Sequence, residues 1–201
     1  MYQDLIEHQI GKGNMNVMNM LNTKYFIGQD ETGKTIAQQN PGAFGPCWLV
    51  KGIKFVNSAN NEMLALDSTN LRDTVVINES FKTSIKQFPQ YDSTASIKIS
   101  ERQNDKITYA FNAATPQYAV LSEIYYNRGW NAYVDGQKTD YAKVNYALRG
   151  IAMPAGKHTL EFKFEPKAYF LGNTLSLWST VLIYILLIAT VFFCIKKNKE
   201  N

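Results

Sequence analysis

From Ala168 to Ile195 the chain carries no charged residue. The centre of this stretch, LSLWSTVLIYILLIATVFFCI, covers Leu175 to Ile195. As a helix it rises about 31 Å, enough to cross a hydrocarbon core of about 30 Å. Tyr169 and Trp178 lie towards one end, where amphipathic rings favour the membrane interface, and Lys196, Lys197 and Lys199 follow the other. A small domain has no interior that could surround so long an apolar cylinder. Residues 168–195 are therefore expected to form a transmembrane helix, with 196–201 as a cytoplasmic tail. Lys157, Lys163 and Lys167 stand before the span and nearly balance the count of basic residues. The reading leans towards a domain outside the cytoplasm with the tail inside. The opening MYQDLIEHQI has no apolar signal-peptide core, so an outside domain calls for a membrane segment upstream of it.

The remainder has a different character. The chain has 201 residues, 45% of them apolar, and a formal net charge of +4. Its mean hydropathy is −0.26 in spite of the span. That suits one globular domain of ordinary size. The lysines are scattered singly, which argues against a nucleic-acid partner. Cys47 belongs to the soluble part and Cys194 to the far end of the span, so no disulfide is expected.

Residues 1–23 read as a helical segment in two pieces, broken at Gly11 and Gly13, with Leu5, Ile6, Gln9 and Ile10 near one face. NTKYFI is a short strand. Residues 28–46, rich in glycine, proline and polar residues, read as turn and loop. CWLVKGIKFV is strand again, SANNEMLALD a short helix capped by Ser58 or Asn60, and DTVVIN a brief strand. From residue 95 onwards period-two alternation dominates: Ile97 and Ile99, then Ile107, Tyr109 and Phe111, then Leu160, Phe162 and Phe164 against Thr159, Glu161 and Lys163. Asp135-Gly136 signals a two-residue hairpin turn. Short strands at this spacing predict a mainly β chain: an antiparallel β-sandwich over 24–167, with short N-terminal helices and one C-terminal transmembrane helix.

Ser122 to Gly136, SEIYYNRGWNAYVDG, concentrates Tyr125, Tyr126, Trp130 and Tyr133. Exposed rings could stack on the C–H faces of a sugar, with Trp130, Tyr133, Tyr126 and Arg128 as the glycan-contact candidates. The competing reading is core packing and hairpin stabilisation, which the strand pattern favours. Trp130 and Ala132 share one face of a strand, and Asn131 and Tyr133 the other. His8 and His158 lack neighbours at ligand spacing, so no metal site is expected, nor any cofactor. His158 suits the end of a turn on the wet face. Asp135 and Asp140 could pair for glycoside chemistry, but aspartate before glycine serves the turn itself. Asn78 opens an NES acceptor triplet.

RGWNAYVDGQKTD, then VNYALRGIAMPAGKHTLEFKFEP, then an immediate span, resembles the C-terminus of the YfhO-type bacterial membrane proteins. YQDLIEHQI, NMLNTKYFI, WLVKGIKFVNSANNEMLALD and SEIYYNRGW agree, so the resemblance covers essentially the whole chain. It implies a polytopic parent similar to membrane glycosyltransferases, with a lipid-linked sugar donor and a cell-envelope polymer as acceptor. The catalytic carboxylate of such enzymes lies near the first membrane helices, so no catalytic residue carries over. The chain is then expected to be a non-catalytic C-terminal piece in the bacterial cytoplasmic membrane. Its partners would be membrane lipid, the parent's upstream membrane helices and envelope glycan. The alternative is a single-span anchored module, glycan-binding or purely structural.

Overall fold

A computed structural model describes residues 2–85 and 87–200, apart from the side chains of 193, 194 and 196–200. The chain forms two compact units, Met1–Phe164 and Glu165–Asn201.

The first unit is mainly β, as expected. One sheet has five strands in the order β10-β9-β13-β7-β6. These are β6 (Ser96–Arg102), β7 (Lys106–Ala113), β9 (Trp130–Val134), β10 (Gln137–Thr139) and β13 (Gly156–Phe164). A second has six, ordered β3-β8-β12-β11-β5-β4. These are β3 (Cys47–Val50), β4 (Gly52–Val56), β5 (Thr74–Asn78), β8 (Gln117–Ile124), β11 (Ala142–Val144) and β12 (Leu148–Met153). The segment expected as one strand over residues 47–56 is thus two strands at opposite edges of that sheet, with only Lys51 between them. The sheet must curl until its edges meet along this stretch of chain.

All but one of the pairings in these two sheets are antiparallel. The exception is β4 with β5, joined by α3 (Ala59–Ser68) as a crossover. Ser58 caps α3, its hydroxyl accepting from Asn61 N at 3.1 Å, while Glu62 sits in the first turn.

Alternate residues of β8 serve two cores. Ala119 and Leu121 join Ile107, Tyr109, Phe111, Ile151, Leu160 and Phe162 between the two sheets. Tyr118 and Val120 join Trp48, Val50, Ile77 and Leu148 in the curled sheet, together with Leu5, Val17, Met20, Met63 and Leu66. These last come from α1 (Tyr2–His8), α2 (Met15–Met20) and α3. A strand covered on both faces reads as an unbroken apolar run, which explains YAVL. Gly150 on β12 lies where helix-side packing is tightest: a Cβ there would stand 2.5 Å from Val144 Cγ1 and 2.7 Å from Tyr118 Cε1.

A further expectation needs correction. Residues 28–46 are not all loop. β1 (Tyr25–Gln29) and β2 (Thr35–Gln39) form an antiparallel hairpin of their own. The polar connection after β5 contains a 3₁₀ turn, Glu79–Ser84, where Asn78 accepts from Ser80 N.

The second unit is α4 (Lys167–Glu200), a single helix of 34 residues. Lys167–Phe192 contains an 18-residue stretch with a mean hydropathy of 2.2 and is long and apolar enough to cross a membrane. The hydroxyls of Thr174, Ser179, Thr180 and Thr190 each donate to the carbonyl four residues earlier, at 2.8–2.9 Å. Lipid offers no partner for such groups, so the helix satisfies them internally.

Candidate functional site: the aromatic loop between β8 and β9

Strand β8 ends at Ile124, and the chain crosses to β9 through Tyr125–Gly129. Three features hold this loop. Tyr125 N donates to Ala147 O at 2.7 Å. The Tyr141 hydroxyl lies 3.2 Å from Tyr126 O and 3.0 Å from Trp130 O, one hydrogen serving both. Gly129 lies against Phe164, the last residue of β13, so closely that a Cβ would stand 2.5 Å from the ring. Burial pushes the Tyr141 hydroxyl up to about 12, so it stays a donor.

The four candidate residues fall into three settings. Tyr126 is 49% exposed and Arg128 beside it is also exposed. Trp130 is half-buried. It pairs with Phe164 across the β9–β13 ladder, the ring centroids lying 5.4 Å apart. Tyr133 pairs with Glu161 on the same ladder, and the Lys163 ammonium stands 4.9 Å from the centre of its ring. Strand parity puts Trp130 on the inner face and Tyr133 on the outer. Tyr126 and Arg128 therefore share the loop, while Trp130 and Tyr133 cannot contribute to one flat platform.

Beneath Trp130 lies Arg149 of β12, only 3% exposed. Its guanidinium carbon is 4.5 Å from the Trp130 ring centre and 5.2 Å from that of Phe162. Nε donates to Ile124 O at 3.1 Å, and Nη1 has no hydrogen-bond partner. Burial lowers its pKa from the usual arginine value, but arginine remains charged. A desolvated cation–π contact is worth about 2 kcal/mol. Sequence reasoning missed this residue; its signal was a lone arginine inside the apolar run ALRGIAM.

A second polar cluster lies at the β9–β10 turn. Asp135 and Gly136 both have positive φ, 50° and 80°, as the hairpin signal requires. Asp135 Oδ2 meets His158 Nδ1 at 2.5 Å, and Asp135 Oδ1 accepts from Thr159 N at 2.8 Å. His158 Nε2 faces Ala155 O at 3.0 Å. Both ring nitrogens thus face acceptors, which favours the doubly protonated imidazolium. The Asp135 hydrogen bond, then the Ala155 carbonyl, raise the His158 pKa. The Thr159 N–H, then His158, hold Asp135 below the usual carboxylate range. A cleft of about 430 Å³ brings Asp135, Asp140, Lys138 and His158 together. Within it the Asp135 carboxylate is occupied at both oxygens, and neither nitrogen of His158 is turned to the cleft as a free base. Among the described residues no three of His, Cys, Asp and Glu converge as metal ligands would. Cys47 is a free thiol pushed up to about 11 by burial; the side chain of Cys194 lies outside the described residues.

Residues 54–176 match the family described as bacterial membrane protein YfhO. The chain belongs to the YfhO family. The matched stretch begins in β4, takes in the five-stranded sheet and all of the six-stranded sheet but β3 and the start of β4, and runs into α4. A YfhO protein of Bacillus subtilis (strain 168), itself described as uncharacterized, is 24% identical over 112 residues. Those residues are 56% of this chain and 13% of that relative, so this chain spans only a small part of the relative's length. No solved structure matches. Family membership and the apolar α4 make this YfhO-family chain a membrane protein.

Proposed function

We propose that this chain is the extracytoplasmic β domain and last membrane helix of a larger glycosyltransferase-like protein of the bacterial cytoplasmic membrane. The transfer of sugar from a lipid-linked donor to an envelope polymer takes place on other segments of that protein. The observations that carry this reading are that the family match runs unbroken from the β domain into the apolar helix, and that the stretch aligned with the Bacillus subtilis relative is a small part of that relative. The occupied state of Asp135 and His158 supports a non-catalytic role. The glycan contact is assigned to Tyr126 and Arg128 on the exposed loop, with the open edge of Trp130 beside them. Tyr133, on the outer face with Lys163 over its ring, lies apart from that contact.

The test uses the full-length parent protein in cells, following labelled sugar into envelope polymer. Tyr126→Ala with Arg128→Ala is expected to lower incorporation several-fold at unchanged protein abundance. Unchanged incorporation would remove the glycan contact and leave a structural β domain. The packing of Trp130 over Arg149 already favours that second reading for the inner ring.

A further inference from the structure

The β1–β2 hairpin projects with almost no cover of its own. Ile27 is 80% exposed, Tyr25 59% and Ile36 44%. A two-stranded hairpin is marginal in water and gains stability from a third strand. Its two flanking hydrogen bonds are Asn40 N to Lys24 O at 2.8 Å and Asp30 N to Lys34 O at 2.9 Å. Bonded pairs alternate along an antiparallel ladder. The N–H and C=O groups of Tyr25, Ile27 and Gln29 therefore point away from β2, and among the described residues no other strand pairs with β1. Exposed edges are normally guarded by charge, proline or a bulge. YFIGQ has no charge and no proline, and its register with β2 is regular throughout.

We propose that β1 is a self-association edge, pairing antiparallel with β1 of a second copy about a two-fold axis at Ile27. The outward groups fit this symmetry. Ile27 faces its own copy in a doubly bonded pair, and Tyr25 faces Gln29 on either side. Phe26 falls opposite Gly28, where nothing lies within 4 Å of the position a Cβ would take; an aromatic ring packs well across such a glycine. Lys24 falls opposite the second copy's Asp30, so each end of the paired strands carries one cation against one anion. Asp30 is held ionised by Thr32 and the Lys34 N–H. The other edge lacks this complementarity: a two-fold axis at Ala37 sets Lys34 opposite Asn40. The contact is isologous and closes at two copies, giving a four-stranded sheet β2-β1-β1-β2.

The test uses the full chain in membranes, with Cys47→Ala and Cys194→Ala as background. A doubly bonded pair places Cα atoms about 5.5 Å apart, inside the disulfide range of roughly 4.4–6.8 Å. Ile27→Cys is expected to give a disulfide-linked dimer on mild oxidation, and Ala37→Cys, equally solvent-facing on β2, is not. Ile27→Lys puts two like charges on the axis and is expected to halve the mass of the detergent-solubilised protein with an unchanged circular dichroism spectrum. Equal crosslinking from both cysteines would mean random collision and overturn the proposal. So would a monomer at every concentration. A monomer in which Ile27→Cys resists maleimide would show the edge covered by something other than a second copy, and would overturn it equally.

Discussion

At the scale of single residues, the most consequential side chain of the helix-side core is one that no site motif marks. Glu62 is fully buried in α3. Its carboxylate accepts from Lys143 Nζ at 2.8 Å and from Tyr146 N at 2.9 Å. Tyr146 has φ 70°, an uncommon setting for a bulky residue. Its hydroxyl donates to Asp4 Oδ2 at 2.5 Å, so the strained turn is tied at both ends to acidic groups of two helices. Removing one partner of a buried ion pair strands the other charge, at a cost of about 3–5 kcal/mol. Lys143→Met is therefore expected to lower the melting temperature sharply. Lys143→Met combined with Glu62→Gln should recover much of the loss, because no unpaired charge remains. Thermal melts of the single and double variants check both statements. Little of this was legible beforehand. Glu62 reads as a first-turn acid favoured by the helix dipole, and only the tertiary fold brings it against a lysine 81 residues away.

At the scale of elements, the Asp135–His158 pair joins the β9–β10 turn to the start of β13. Its pH dependence follows from the two shifts. The His158 pKa is raised above its ordinary 6.5, so the stability it lends is full below that value and fades as pH rises through the folded value. Asp135 is lowered from 3.8, so its share is full above 3.8 and is lost as pH falls through the folded value. The clasp is thus fully engaged between those two ordinary values. Asp135 is half exposed and His158 is partly buried beside it, so solvent screens the pair and its worth is about 1 kcal/mol or less. The melting-temperature gap between wild type and His158→Gln should narrow from pH 6 to pH 9. A gap that stays constant over that range would contradict the ionic clasp. The elements themselves were legible where one face is wet and one dry, as in β7 and β13. They were not where that contrast fails. TIAQQ is exposed on both faces, so its alternation carries no signal and β2 was hidden. WLVKGIKFV resumes its strand-forming apolar residues directly after Lys51, and one lysine is ordinary within a strand, so the point where the chain leaves one sheet edge for the other was not marked. The opposite facing of Trp130 and Tyr133 was readable from parity alone, whereas Arg149 beneath Trp130 depended on how two sheets meet.

At the scale of the whole molecule, the order of strands along the chain differs from their order in space. β3 near residue 50 pairs with β8 near residue 120. The Ser122 hydroxyl lies 2.7 Å from Met20 O and 2.9 Å from Gly45 O, tying early segments to a late strand. The five-stranded sheet is held at its centre by β13, which lies between β9 and β7. Without β13, Leu160 and Phe162 leave the inter-sheet core and two pairings vanish together. A chain ending at Ala155 is expected to be degraded by a protease dose that leaves a chain ending at Glu165 intact. Equal resistance would mean that β13 is dispensable. During synthesis, then, the earliest segments wait unpaired for partners made much later, and the strand that completes the sheet leaves the ribosome immediately ahead of the apolar helix. Closing such distant pairings is slow because loop-closure entropy comes before the contacts that reward it. Folding of the β domain and lodging of the helix in the bilayer are thus compressed into the same short interval of translation, and a delay in either leaves the other exposed.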